Sequence, residues 1–251
     1  MKTVKVKDIT FNEGAPKICV PLVGKTEAEI LDEVAYLNSV DFDLAEFRAD
    51  FYEDVEDFAK VQSLLKKIRE SYNKPLLFTF RTHKEGGVHE MSEEKYFALN
   101  RAAVESRCID LIDVELFSTE EEVKKFIAFA KENNVKVIMS NHDFCKTPSK
   151  EELVNRLVKM QELGADITKI AVMPKSEEDV LTLLSATLEM KKEKGDRPCI
   201  TMSMGSLGVI TRLSGELFGS CMTFAAAKHV SAPGQISVKD ARNILNLLHI
   251  S

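Results

Sequence analysis

The sequence predicts an α/β protein built as a (β/α)8 TIM barrel, with an N-terminal β-hairpin closing the barrel floor. Two observations carry that prediction. Short β-rich runs alternate with amphipathic helical stretches from one end of the chain to the other, and the repeat is roughly 30 residues, the size of one strand–helix unit. About eight such units fit the 251 residues, and eight parallel strands favour a closed barrel over the competing open, doubly wound sheet. No Pro/Gly/Ser-rich linker or change in composition divides the chain, so residues 1–251 are expected to form a single catalytic domain.

The elements follow in order. Val4-Lys5-Val6 and Ile9-Thr10-Phe11 alternate around Asp8 and stand outside the repeat, which suits a hairpin. The strands are expected at Lys17–Leu22, Asp43–Arg48, Leu76–Arg81, Leu111–Glu115, Lys136–Asn141, Thr168–Met173, Cys199–Met204 and Cys221–Ala225. Each precedes a helical pattern. In Glu151–Leu163, for instance, Leu153, Val154, Leu157, Val158 and Met160 share one face. Ser92 and Ser176, each followed by two glutamates, read as N-caps with acids set against the helix dipole. Gly164 suits a helix C-terminus.

Bulk chemistry narrows the function. A net charge of −6 disfavours a nucleic-acid partner, which needs a basic face to displace counterions. It does not disfavour a small anionic substrate, since a few arginines in a cleft suffice for a carboxylate. Cys19, Cys108, Cys145, Cys199 and Cys221 are odd in number and contain no C-x-x-C pair, a pattern of reduced thiols in the cytoplasm. The N-terminus lacks an apolar signal segment, and no apolar run is long enough to cross a bilayer, so no membrane association is expected.

Barrels place chemistry at the C-terminal ends of their strands. Glu46 and Arg48 stand there on the second strand, Arg81 on the third with Glu85 just beyond, His142 on the fifth and Lys169 on the sixth. Arg212 follows the seventh strand, and Ser231 and Gln235 follow the eighth. Period two turns Lys169 inward, since Ile170 and Val172 belong to the helix-facing side. An inward lysine must be paired, with a carboxylate such as Glu46, or be kept neutral by burial and cationic neighbours. The second condition is what amine nucleophilic catalysis requires. His142 can carry protons near neutrality. Glu85 precedes Gly86-Gly87, a turn that can bring a carboxylate back to an imidazole. Met204–Gly208 could cradle a phosphate, and Arg212 beside it serves a carboxylate equally well. His83 and His89 lack the companions of a metal site, so no metal and no cofactor are expected.

Taken together, Glu46-Phe47-Arg48, Phe80-Arg81 with Lys84-Glu85-Gly86-Gly87, Ser140-Asn141-His142-Asp143-Phe144 with Thr147-Pro148, the Lys169 strand, Met204-Gly205 with Gly208 and Arg212, and Ser231-Ala232-Pro233-Gly234-Gln235 resemble the type I 3-dehydroquinate dehydratases of the shikimate pathway, from about Lys17 onward. Thr211 stands where many relatives have serine. The resemblance implies a metal-free lyase of aromatic amino-acid (chorismate) biosynthesis, usually a homodimer, converting 3-dehydroquinate to 3-dehydroshikimate. By the same resemblance Lys169 forms a Schiff base, His142 transfers protons, and Glu85 orients His142 and favours its protonation. Arg212 then holds the substrate carboxylate, while Glu46, Arg48 and Arg81 contact or position the ring. Ser231 and Gln235 belong to a lid, His229–Ile236, in which the small Ala232 and Gly234 offer few contacts to hold the loop in place. The competing assignment is another Schiff-base barrel, such as a class I aldolase. It would share the inward lysine but does not call for a histidine on the adjoining strand or an arginine for a carboxylate.

Overall fold

The computed structural model describes residues 2–228 and 231–250. Its first element is the antiparallel hairpin β1 (Val4–Val6) and β2 (Ile9–Phe11). The barrel strands are β3 (Lys17–Leu22), β4 (Leu44–Arg48), β5 (Leu76–Thr79), β6 (Leu111–Glu115), β7 (Lys136–Asp143), β8 (Ile167–Val172), β9 (Cys199–Ser203) and β10 (Met222–Phe224). They form one parallel sheet in which β10 returns to pair with β3. Between β9 and β10 the ring closes through the Cys199–Ser220 bridge and the Cys221 N–H, which donates to Cys199 O at 2.8 Å. The helices α1 (Glu27–Leu37), α2 (Phe58–Ser71), α3 (Glu93–Glu105), α4 (Glu120–Glu132), α5 (Lys150–Glu162) and α6 (Glu177–Glu189) follow β3 to β8 in turn. The short α7 (Val209–Leu213) and α8 (Gly215–Phe218) follow β9, and α9 (Val238–Leu247) follows β10.

Steps of two along each strand explain the interior. At the floor, Leu44, Leu77, Leu111, Ile138, Ile167 and Ile200 pack with Val6, Ile9 and Phe11 of the hairpin, which is therefore the barrel's apolar plug. Two residues further along come Glu46, Thr79, Asp113, Ser140, Lys169 and Met202. Two further still come Arg48, Arg81, Glu115, His142, Ala171 and Met204. The interior thus changes from apolar at the floor to charged at the mouth. The alternate residues, including Ala45, Phe47, Phe78, Ile112, Val114, Val137, Met139, Ile170 and Val172, pack outward in a second core. Because both faces of each strand are covered, the strands are largely apolar on both faces at their floor ends, and charged residues enter on the inward face toward the mouth.

The caps behave as expected at Ser92, whose hydroxyl accepts from Lys95 N–H, whereas Ser176 makes no such bond. Gly164 ends α5 in the left-handed region, with φ of 97°. Two strand ends differ from expectation by two residues, the others by at most one. β5 stops at Thr79, because the Arg81 N–H turns to the Asp50 carboxylate (3.3 Å) instead of continuing the ladder. β7 runs on to Asp143, pairing His142 with Ala171 and Asp143 with Val172. His142 is therefore held by the sheet and not by a loop.

Candidate active site

All the residues singled out from the sequence line one cavity at the barrel mouth: Glu46, Arg48, Arg81, Glu85, His142, Lys169, Arg212, Ser231 and Gln235. Lys169 points inward as period two requires and is only 3% exposed. Its partner is not Glu46, whose carboxylate accepts instead from the Thr79 hydroxyl at 2.8 Å. The Lys169 Nζ lies 3.3 Å from Asp113 Oδ2, with the Phe224 ring centroid 4.6 Å away. A carboxylate thus offsets the burial cost of the ammonium, which the expectation of cationic neighbours alone did not supply.

Asp113 also receives Arg81 NH2 at 2.8 Å and the Ser140 hydroxyl at 2.6 Å. Burial works against its charge, but Arg81 and then Lys169 outweigh it and hold the carboxyl below its usual range. The other guanidinium nitrogen of Arg81, NH1, is 2.8 Å from Glu115 and 3.0 Å from Ser140. Arg48 is likewise paired on two sides with Asp50, both at 2.8 Å. Both arginines face the cavity, yet their strongest bonds are to the protein's own buried acids. They build the wall and set its field.

His142 and Glu85 meet directly. Gly86 turns the chain after Glu85 with φ of 86°, and its missing side chain matters, since a Cβ there would lie 2.2 Å from the Phe144 ring. That close approach brings Glu85 Oε2 to 2.9 Å from both the His142 backbone N–H and the imidazole Nδ1. The turn is packed, not loose. Burial first, and then Glu115, pushes the Glu85 carboxyl up to about 8 despite Arg81 and Asn141. Burial, followed by Arg81, Lys169 and Arg48, pushes the imidazole well down. Both directions favour the uncharged pair, in which the carboxyl keeps its proton beside a neutral imidazole; at 2.9 Å that proton lies between the two groups, and they titrate as a unit.

Arg212 is different from the other arginines. It is 2% exposed, and among the described residues it meets no carboxylate. Its NH2 donates to Pro233 O at 3.0 Å, its NH1 faces the Met202 sulfur at 3.6 Å, and its Nε has no partner among the protein's described atoms. Burial alone pulls it down to about 10. The hydroxyl of Thr211 accepts from Ser203 N–H and donates to Gly208 O, bonds that a serine hydroxyl can make equally well.

Of the segment expected to act as a lid, His229 and Val230 lie outside the described residues. From Ser231 onward the loop rests on the turn after β9, where Gly205 N–H donates to Pro233 O at 3.2 Å. Gly234 allows this approach, since a Cβ there would stand 2.3 Å from Gly205 O. Gly234 therefore serves close packing, which corrects the expectation that it leaves the loop poorly held. Ser231 and Gln235 bond to each other twice, each at 2.9 Å.

Sequence reasoning missed Asp113, Phe224 and Met202. Asp113 was legible as an inward-phase acid in the buried run Leu111–Glu115. The others look like ordinary core residues.

A family model described as type I 3-dehydroquinase matches residues 18–251. The 3-dehydroquinate dehydratase of Listeria monocytogenes is 57% identical over 250 residues, covering 99% of each chain. That of Clostridium novyi is 54% identical over the same length and share. The crystal structure of the type I 3-dehydroquinate dehydratase of Clostridium difficile, with covalently modified comenic acid, matches with a TM-score of 0.95. It is 53% identical and covers 98% of this chain and 97% of its own. At 15% identity and a TM-score of 0.59, a 3-hexulose-6-phosphate synthase shares the barrel alone. The chain belongs to the type I 3-dehydroquinase family.

Proposed function

We propose that this enzyme dehydrates 3-dehydroquinate to 3-dehydroshikimate through a Schiff base on Lys169, in the biosynthesis of aromatic amino acids. The observation that carries the reading is a buried amine facing one cavity with a histidine–carboxylate pair and an arginine bonded to no acid among the described residues. The amine of Lys169, once deprotonated, attacks the C3 ketone, and loss of water leaves an iminium. That cation draws electrons from C2, whose proton passes to His142. His142 then gives a proton to the departing C1 hydroxyl, which leaves as water. A second water hydrolyses the iminium, releasing the product and restoring the amine. Mixing protein with 3-dehydroquinate and following the absorbance of the conjugated product tests the reaction itself.

The shared proton of the His142–Glu85 pair serves the acid steps, including loss of water as the iminium forms. It is lost as the pH rises through the upward-shifted range of the Glu85 carboxyl. Turnover therefore falls on the alkaline side, and Glu85→Gln removes that limb of the pH profile.

Arg212 is assigned to the substrate carboxylate. A buried guanidinium without an acid is costly, and a bidentate carboxylate offsets that cost. Removing it as Arg212→Met should weaken binding by about 2–3 kcal/mol, the worth of hydrogen bonds to charged groups. That corresponds to a rise in KM of roughly 30- to 150-fold, with a smaller change in kcat, because the carboxylate is bound alike in ground and transition states. An unchanged KM would remove Arg212 from this role.

Every charge the reaction develops is met here by a side chain or by the iminium. Exhaustive treatment with EDTA should therefore leave turnover unchanged, and activity restored by a divalent ion would contradict the mechanism. We further propose, from the family resemblance and the unpaired cysteines, a cytoplasmic homodimer, for which light scattering should give twice the mass of one chain. No helix among the described residues is long and apolar enough to cross a membrane.

A further inference from the structure

One polar chain, buried at Asn141 and Glu85, runs from the outside of the barrel into the acid–base pair. On β7 the inward residues are Ile138, Ser140 and His142, so Asn141 lies on the face toward the helix layer. Asn141 is nevertheless only 3% exposed. Its Nδ2 donates to Glu85 Oε1 at 3.1 Å, and its Oδ1 accepts from Arg156 NH1 at 2.8 Å. Arg156 sits on α5, outside the cavity. It is held there by Glu152 one turn earlier, at 2.7 Å, and by the Phe117 ring, 5.2 Å from the guanidinium carbon. Glutamate four residues before arginine is the favoured order on a helix.

A guanidinium has donors only, so the end of the Asn141 amide that faces it must be the oxygen. The nitrogen end is then committed to Glu85. Without that constraint the amide can turn over and present its oxygen to Glu85, an arrangement that requires the carboxyl to keep its proton.

We infer that Arg156 is a positioning residue for the His142–Glu85 pair, acting through Asn141 by fixing which end of the amide meets Glu85. This rests on the reading of His142 and Glu85 as the acid–base pair. Glu85 accepts from Asn141 and from the His142 backbone on β7, and Arg81 NH1 stands 3.7 Å away beyond β5. Glu115 and Asp113 of β6 act against its ionisation. Lys169 of β8 and Arg48 of β4 act on the imidazole. In this surrounding, Asn141 is one of few neutral donors to the carboxylate, and its loss moves the shared proton toward Glu85.

The test compares Arg156→Met, Arg156→Lys, Asn141→Leu and the double variant Asn141→Leu/Arg156→Met in steady-state turnover across pH. In Arg156→Met we expect kcat to fall about 10- to 100-fold, as when an outer hydrogen-bond partner orienting a reacting group is lost. KM should stay within about twofold, since the substrate is not touched. The alkaline limb should move to higher pH. Arg156→Lys, which keeps a donor and the charge, should return most of both. Asn141→Leu should show the same displaced limb, and adding Arg156→Met to it should cost nothing more. An unmoved limb in Arg156→Met, or losses that multiply in the double variant, would overturn the inference. Should Arg156→Met be too unstable to assay, an unmoved limb in Asn141→Leu overturns it equally. Borohydride trapping on Lys169 separates the two levels: trapping in every variant with an unmoved limb removes only Arg156, whereas no trapping in the wild type removes the Schiff-base reading itself.

Discussion

Lys169→Ala is expected to abolish turnover, because no other amine faces both the Asp113 carboxylate and the His142 side of the cavity among the described residues. Without the iminium, the C2 proton must leave next to an unactivated ketone, and the electron sink that makes it removable is gone. Borohydride added to wild-type protein during turnover should reduce the iminium and fix the mass of substrate or product on Lys169. The variant should take up no such mass. Its folding needs a separate check, since removing one partner of a buried ion pair typically costs about 3–5 kcal/mol. Here the loss should be smaller, because Arg81 still holds Asp113 at 2.8 Å. Lys169→Met, which fills the space, should unfold closer to the wild-type temperature and be equally inactive. Full activity in either variant, or mass fixed to another lysine, would end the Schiff-base mechanism.

What the sequence made legible, and what it did not, follows from the range of each interaction. Strand and helix periods are local, so all eight barrel strands and the hairpin were readable to within a few residues. The inward turn of Lys169 needed only the character of Ile170 and Val172. The residues at strand ends could be gathered into one site because a barrel sends all its strand ends to one mouth. Pairing inside that mouth is not local. Asp113 and Lys169 are 56 positions apart, as are Glu85 and Asn141. Whether an inward lysine finds Glu46 or Asp113 depends on the stagger of strands around the ring, which no single segment records. The same holds for Arg48 and Arg81: their type marked them as functional, but only the fold shows that Asp50, Asp113 and Glu115 already occupy their strongest bonds. In the final loop, Gly234 looked like a source of looseness, whereas contact with Gly205 makes it a condition for close packing.

His142→Ala should slow turnover by several orders of magnitude, and it should do so without preventing the covalent step. General acid–base catalysis contributes roughly 10²–10⁴ for each proton transfer, and His142 is assigned to more than one: removal of the C2 proton, protonation of the C1 hydroxyl, and the transfers that form and hydrolyse the iminium. Lys169 remains in its pocket, because its bonded partner is Asp113 and not the imidazole. The Schiff base should therefore still form slowly and, with its forward step blocked, accumulate as a species visible by intact-protein mass even before borohydride is added. Glu85→Gln should cost less. The amide keeps an acceptor for the His142 backbone N–H and holds the ring in place, while removing the charge and the shared proton. The acid steps then depend on an imidazole that burial, Arg81, Lys169 and Arg48 all push toward its neutral form, so kcat falls while proton removal from C2 survives. The order of damage is the discriminating result. If Glu85→Gln proved slower than His142→Ala, or if His142→Ala failed to accumulate the adduct while still binding substrate, the proton transfers would have to be reassigned from His142 to another group in the cavity.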